Sequence, residues 1–165
     1  MWVCVPINFL EDWMKKSLLA TGVTLALGMG IASTALAQAK PDVLVKQRQA
    51  AMTLQGKYLG PIGGMLKGAA PYNADVVAIN ATFLENLARM PWDGFQASTA
   101  DVKSAAKPEI YKDAAKFKAA ADALEAATAK LGAVARAKDE AGVRANFGAV
   151  AKACGSCHDD FRVKQ

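Results

Sequence analysis

The sequence predicts an all-α protein, an antiparallel four-helix bundle, on three observations. Four stretches repeat apolar residues at the helical period, and no stretch alternates apolar and polar residues as a half-buried strand does. The composition agrees: of 165 residues, 53% are hydrophobic but only 7% aromatic, with alanine and leucine prominent. Four amphipathic helices joined by three connections bury their apolar stripes most simply against one another. The formal net charge is +5, with Lys and Arg scattered rather than gathered in a stripe. That pattern fits a soluble, mildly cationic protein and argues against a nucleic-acid partner.

The bundle is not expected to begin at Met1. From Met14 the chain runs Lys15-Lys16, then an apolar stretch from Leu18 to Leu36 interrupted by Gly22, Gly28 and Gly30, ending in Ala35-Leu36-Ala37 before Gln38. A basic start, an apolar middle and a small-x-small end make a cleaved secretory signal peptide. A transmembrane anchor is the rival reading, since the apolar run approaches spanning length. Its Gly, Ala, Ser and Thr content and the cleavage pattern favour removal, leaving no stable membrane anchor. Residues 1–37 are therefore read as an N-terminal extension and signal peptide, and 38–165 as the bundle domain. Met1 to Trp13 sit awkwardly ahead of the lysines, which points to Met14 as the true start. Cys4 falls in that extension without a lipid-attachment context, so the exported chain holds two cysteines.

The first helix follows Pro41, with Asp42 expected as N-cap and a stripe through Leu44, Met52, Leu59, Ile62 and Leu66. Arg48 and Met52, four apart, share a face. Gly60-Pro61 and Gly63-Gly64 predict a kink or a restart, and Gly68 the stop. Asn73 is the expected N-cap of the second helix, whose stripe runs Val76, Ile79, Phe83, Leu84, Leu87 and Met90 until Pro91 ends it. The connection from Pro91 to Pro108 is long and carries Trp92 and Phe95. Such a loop usually folds back over something, a cofactor edge or simply its own packing.

The third helix is expected from Glu109 through Ile110, Ala114, Phe117, Ala121, Leu124, Leu131 and Ala135, its alanines supplying high helix propensity. After a polar link at Lys138-Asp139-Glu140, the fourth helix carries Val143, Phe147, Val150, Cys154, Cys157 and Phe161 on one face.

That last helix holds the one motif with specific chemistry, Cys154-Gly155-Ser156-Cys157-His158. Two cysteines three apart with a histidine next form the C-x-x-C-H signature of covalent c-type haem attachment. On a helix both thiols can reach the two vinyl groups of one porphyrin while the adjacent imidazole reaches the iron. His158 is the only histidine in the chain, hence the one candidate for axial ligand. Three plainer readings compete. Structural zinc wants four ligands where three lie here; a thioredoxin-like pair wants a preceding strand; a disulfide would leave the histidine as coincidence. An alanine-rich bundle is also thinly filled by its own side chains, and a haem would supply the missing apolar volume.

A C-terminal C-x-x-C-H on the last helix of a small exported bundle resembles the class II cytochromes c, most closely cytochrome c prime. Further residues carry the likeness: Lys40-Pro41, Arg48-Gln49 with Met52-Thr53-Leu54, Lys67-Gly68 leading to Pro71-Tyr72, Pro91-Trp92 with Phe95, and Phe161-Arg162 after the motif. The resemblance implies one covalent haem c held by Cys154 and Cys157, with His158 on the iron. It implies Arg48 near a haem propionate, where the alternative is a solvated surface arginine. It implies Trp92 and Phe95 against the haem, and a basic Arg162 beside the axial imidazole, four residues on and on the same helical face. It also implies a periplasmic, bacterial location and, for many relatives, a homodimer through the first two helices.

Met52 is the distal residue by resemblance. In cytochromes c prime an apolar side chain there blocks the sixth coordination position without binding; in low-spin relatives a first-helix methionine ligates the iron. An unligated iron walled by apolar groups, with no distal histidine to donate a hydrogen bond, favours NO and CO over dioxygen. Peroxidase chemistry would need a distal acid and base, and none is apparent, so no enzyme is expected. If Met52 binds instead, the protein is a His/Met electron-transfer cytochrome. Electron exchange with an unidentified redox partner is expected in both cases. A haem-free helical interaction protein is the third reading.

Overall fold

The computed structural model describes residues 39–164, so the predicted extension and signal peptide lie outside the described residues. Helices α1 (Pro41–Leu66), α2 (Ala74–Leu87), α4 (Ala114–Arg136) and α5 (Glu140–Phe161) form the bundle, with a single turn α3 (Glu109–Lys112) before α4. Two 3-10 turns, Trp92–Phe95 and Ala97–Thr99, shape the long connection. The described residues contain no strand, only an isolated bridge between Ala106 and Arg162. The four-helix expectation holds.

Local chemistry sets the ends. α1 opens with Lys40 as cap and Pro41 inside the first turn, not with Asp42 as cap. Proline is pre-organised for that first position, and Asp42 one residue on places its charge at the positive end of the helix dipole. α1 closes on Gly68 at φ +77°, with Ala69 N–H on Gly64 O at 2.9 Å and Gly68 N–H on Met65 O at 3.1 Å, the paired bonds of a Schellman turn. Asn73 caps α2 through its side-chain oxygen, which accepts from Asp75 and Val76 N–H at 3.0 and 3.1 Å.

Three expectations need correction. Of the kink or restart expected near Pro61, the restart does not occur: α1 is one helix through Pro61, because Ile62 is fully buried and Gly63 lies against Phe147, so tertiary packing outweighs the lost hydrogen bond. The expected third helix is split at Asp113, whose side chain accepts from Lys116 N–H at 3.1 Å and starts α4 afresh. The expected α2 stripe is largely its outer face: Val77, Ala81, Leu84 and Leu87 are buried, whereas Val76, Ile79, Phe83 and Met90 are exposed.

Neighbouring helices pack in the order α1 on α2, α2 on α4, α4 on α5. Ile62, Val77, Leu84, Leu131, Val143 and Val150 form the fully buried centre, each side chain contributing roughly 1.5–3 kcal/mol by leaving water. α1 and α5 meet at one end only. Arg144 donates to the Leu66 carbonyl at 3.2 Å, and a Cβ on Gly63 would stand 2.9 Å from Phe147 Cζ. At the other end of the antiparallel pair, Arg48 and Met52 stand across a cavity from Cys157 and His158.

Candidate cofactor site

α5 is helical through the motif because Asp139 caps it, accepting from Gly142 N–H at 2.9 Å, and because Val143, Val150 and Phe161 anchor its buried stripe. Cys154 and Cys157 fall in phase with Val150 and Phe161, so both thiols sit half-buried, as free cysteines, on the inner side. No helix among the described residues is long and apolar enough to cross a membrane.

The cavity between the splayed ends of α1 and α5 has a volume of about 880 Å³, within the range of roughly 300–1,000 Å³ typical of ligand pockets. Arg48, Met52, Phe95, Cys157, His158 and Arg162 all line it. Trp92 and Cys154 line a smaller cavity of about 160 Å³, which shares Met52, Cys157 and His158 with the larger one. All eight sequence-predicted site residues therefore border these two adjoining cavities.

One of them differs from expectation, and one alternative falls. Arg48 is not the solvated surface residue of the alternative reading: it is 3% exposed, donating to Gly94 O at 2.5 Å, Thr99 Oγ1 at 3.2 Å and Ser104 Oγ at 3.0 Å, with its guanidinium 4.3 Å from the centre of the Phe95 ring. Arg162 is not on the helical face of His158. α5 ends at Phe161, and Arg162 is extended (φ −121°, ψ 135°), because its segment pairs with the loop: Lys107 N–H bonds Phe161 O at 2.9 Å and Val163 N–H bonds Ala105 O at 2.8 Å.

Sequence reasoning missed several lining residues. Ser104 lies in a connection without periodicity, and Phe117 belongs to the core stripe expected for the third helix. Phe117 instead centres an aromatic wall, 4.8 Å from Phe95, 5.2 Å from Phe161 and 5.9 Å from Trp92, ring centre to ring centre.

Burial pushes both thiols above the usual cysteine range, with Cys154 and the Asp160 carboxylate adding to the effect at Cys157. Burial, then the Arg162 guanidinium, hold the His158 imidazole below its ordinary pKa against the opposing Asp159 carboxylate. It is therefore held toward the neutral form, the form that can ligate a metal.

This donor set fits a haem. Two thiols and a neutral imidazole share one lining, the rings of Phe95, Phe117 and Phe161 add apolar edges and faces to the wall, and a buried guanidinium bonded only to neutral acceptors suits an anionic carboxylate. The Trp92 indole N–H is buried without a partner among the described residues. Zinc fits less well, since no group of three or more His, Cys, Asp or Glu side chains is gathered as a metal site among the described residues.

A helical bundle that opens at one end around a C-x-x-C-H helix defines a haem-binding c-type cytochrome. Within that class the family described as Cytochrome C' matches residues 43–162, and the chain belongs to it. It is 40% identical over 127 residues to the cytochrome c' of Alcaligenes xylosoxydans xylosoxydans, covering 77% of this chain and 98% of that one. The crystal structure of the cytochrome c' from Rubrivivax gelatinosus superposes with a TM-score of 0.73 at 38% identity, covering 75% of this chain and 98% of that one. A nitric oxide complex of a leucine-to-alanine variant of the Alcaligenes xylosoxidans protein gives a TM-score of 0.72 at 40% identity, over 77% and 98% of the two chains. The family's cofactor is one covalently attached haem c per chain.

Proposed function

We propose that the chain is an exported haem c protein whose iron is five-coordinate and binds nitric oxide or carbon monoxide. Cys154 and Cys157 would hold the haem as thioethers and His158 would be its axial ligand. The carrying observation is that Met52 on α1 and His158 on α5 border the same cavity at the end where the two helices part. An apolar, non-ligating Met52 would crowd the sixth position without filling it, so that a small diatomic ligand must displace the side chain, and it gives dioxygen no hydrogen-bond donor of the distal-histidine kind. The bound haem supplies a redox-active iron; the chain seats it, keeps the imidazole neutral and encloses it in mostly apolar walls. Gas binding is supported by the nitric oxide complex of the similar Alcaligenes protein. The role would be gas binding, with electron exchange with a redox partner open to the same iron.

Arg48 would serve a haem propionate, Trp92 and Phe95 would pack on the ring, and Arg162 would weaken the imidazole's donation to iron. Residues 1–37 would be removed on export to the periplasm, leaving 38–165. Two chains would pair through α1 and α2. Leu54 at 38%, Ile79 at 56% and Phe83 at 47% exposure leave those helices an apolar outer face, with Tyr58 stacked on Phe83 at 4.8 Å.

Absorption spectra of the exported protein, oxidised and reduced, test the reading. High-spin bands and a prompt change with NO or CO are expected, and Met52→Leu should leave them intact. Sharp low-spin bands inert to CO would place Met52 on the iron instead, and a missing Soret band would remove the haem altogether.

A further inference from the structure

We propose that Thr99 is a positioning residue for the haem site, acting through the Arg48 guanidinium, with Tyr111 as its second support. The inference rests on the haem reading above. Arg48 is almost fully buried, yet all the partners it bonds are neutral. No carboxylate among the described residues bonds it, so its place beside the propionate it would serve is set by several neutral hydrogen bonds at once.

Thr99, 1% exposed, is the hub of that fixation. Its Oγ1 lies 3.2 Å from Arg48 Nη1, 2.7 Å from Gln96 O, 3.1 Å from Gly94 O and 3.0 Å from Tyr111 OH. A hydroxyl has one hydrogen and two lone pairs. Arginine only donates and a carbonyl only accepts, so Thr99 gives its hydrogen to a loop carbonyl and takes one from Arg48. The remaining lone pair takes the Tyr111 hydrogen. One oxygen thus joins α1, the 92–104 loop and α3, and no atom of the hydroxyl is left over.

A cation fixed at the cavity wall favours whichever state of the bound group carries less positive charge, here the reduced iron. Without the Thr99 hydroxyl, Arg48 loses an acceptor and the loop loses a clamp, so the guanidinium can turn toward water and its field at the cavity weakens.

The test is the midpoint reduction potential of the haem-loaded chain, with the melting temperature followed alongside. Thr99→Val should shift the equilibrium toward the oxidised form by roughly three- to tenfold, the range one hydrogen bond spans. Thr99→Ser should restore it, and Tyr111→Phe should shift it less in the same direction. In an Arg48→Met background Thr99→Val should add nothing. An equal shift with and without Arg48, or a lowered melting temperature with an unmoved potential in both Thr99→Val and Tyr111→Phe, overturns the proposal. Failure of the haem reading shows separately, as absence of covalent haem in the unsubstituted chain.

Discussion

The Arg48 guanidinium donates to the Gly94 carbonyl at 2.5 Å, and the two residues stand so close that a Cβ on Gly94 would lie 2.8 Å from Arg48 Cβ and 2.9 Å from the Leu44 carbonyl oxygen. Neither neighbour is the far end of a flexible side chain. The long connection can therefore lie flat on α1 only with glycine at that position. Gly94→Ala should lift the loop and cost about 1–3 kcal/mol, the usual range for overpacking. Thermal or denaturant unfolding checks it, and a melting curve within error of the parent would contradict the close approach.

Gly63 makes a gentler version of the same contact at the opposite end of α1, against the tip of the Phe147 ring. Gly63→Ala should destabilise by about 1–3 kcal/mol. Phe147→Leu should be less harmful beside it than alone, a coupling that a double-mutant cycle reads directly. Strict additivity would mean that the ring simply moves aside.

Arg162 lowers the His158 pKa after burial does. A depressed folded-state value means that the unfolded chain binds more protons, so this group adds stability as pH rises from the folded pKa toward about 6.5. Arg162→Gln removes a cation, which makes imidazolium less unfavourable and raises the pKa. Protonation then competes with iron at higher pH. The acid-induced spectral transition of the haem-loaded protein should move upward; an unmoved or lowered midpoint would set Arg162 apart from the imidazole.

The outer face of α2 gives the fourth expectation. Ile79→Lys with Phe83→Glu should convert a dimer to a monomer in sedimentation, while the haem spectrum is unchanged, since neither residue borders the cavities. A parent chain already monomeric at high concentration would refute the pairing.

The motif and the bundle were readable because each is written locally: three residue types at fixed spacing, and apolar residues at a fixed period. The cap at Asn73 and the stop at Gly68 were readable for the same reason, each being one side chain or one dihedral. What was hidden depended on contacts distant in sequence. Arg48 is buried by residues 46 to 56 positions away, so no local window separates it from a surface arginine. Val76, Ile79 and Phe83 are as apolar as Val77, Ala81 and Leu84, and a single chain offers no periodic signal for which face meets the core. Arg162 left the helix because a loop more than fifty residues earlier pairs with it.

That pairing carries a consequence for every charge around the cavity. Ala105, Ala106, Arg162 and Val163 are part of the cavity wall, and two main-chain hydrogen bonds join the loop to the tail. Coulomb energy scales inversely with permittivity, so protein atoms standing on one side of the cavity in place of water act as a dielectric boundary. The strength of the Arg48 guanidinium as an electrostatic source is thus governed partly by backbone atoms that carry no net charge, and loosening the seam would dim it without touching it, while Arg162, itself part of the seam, would move with the tail.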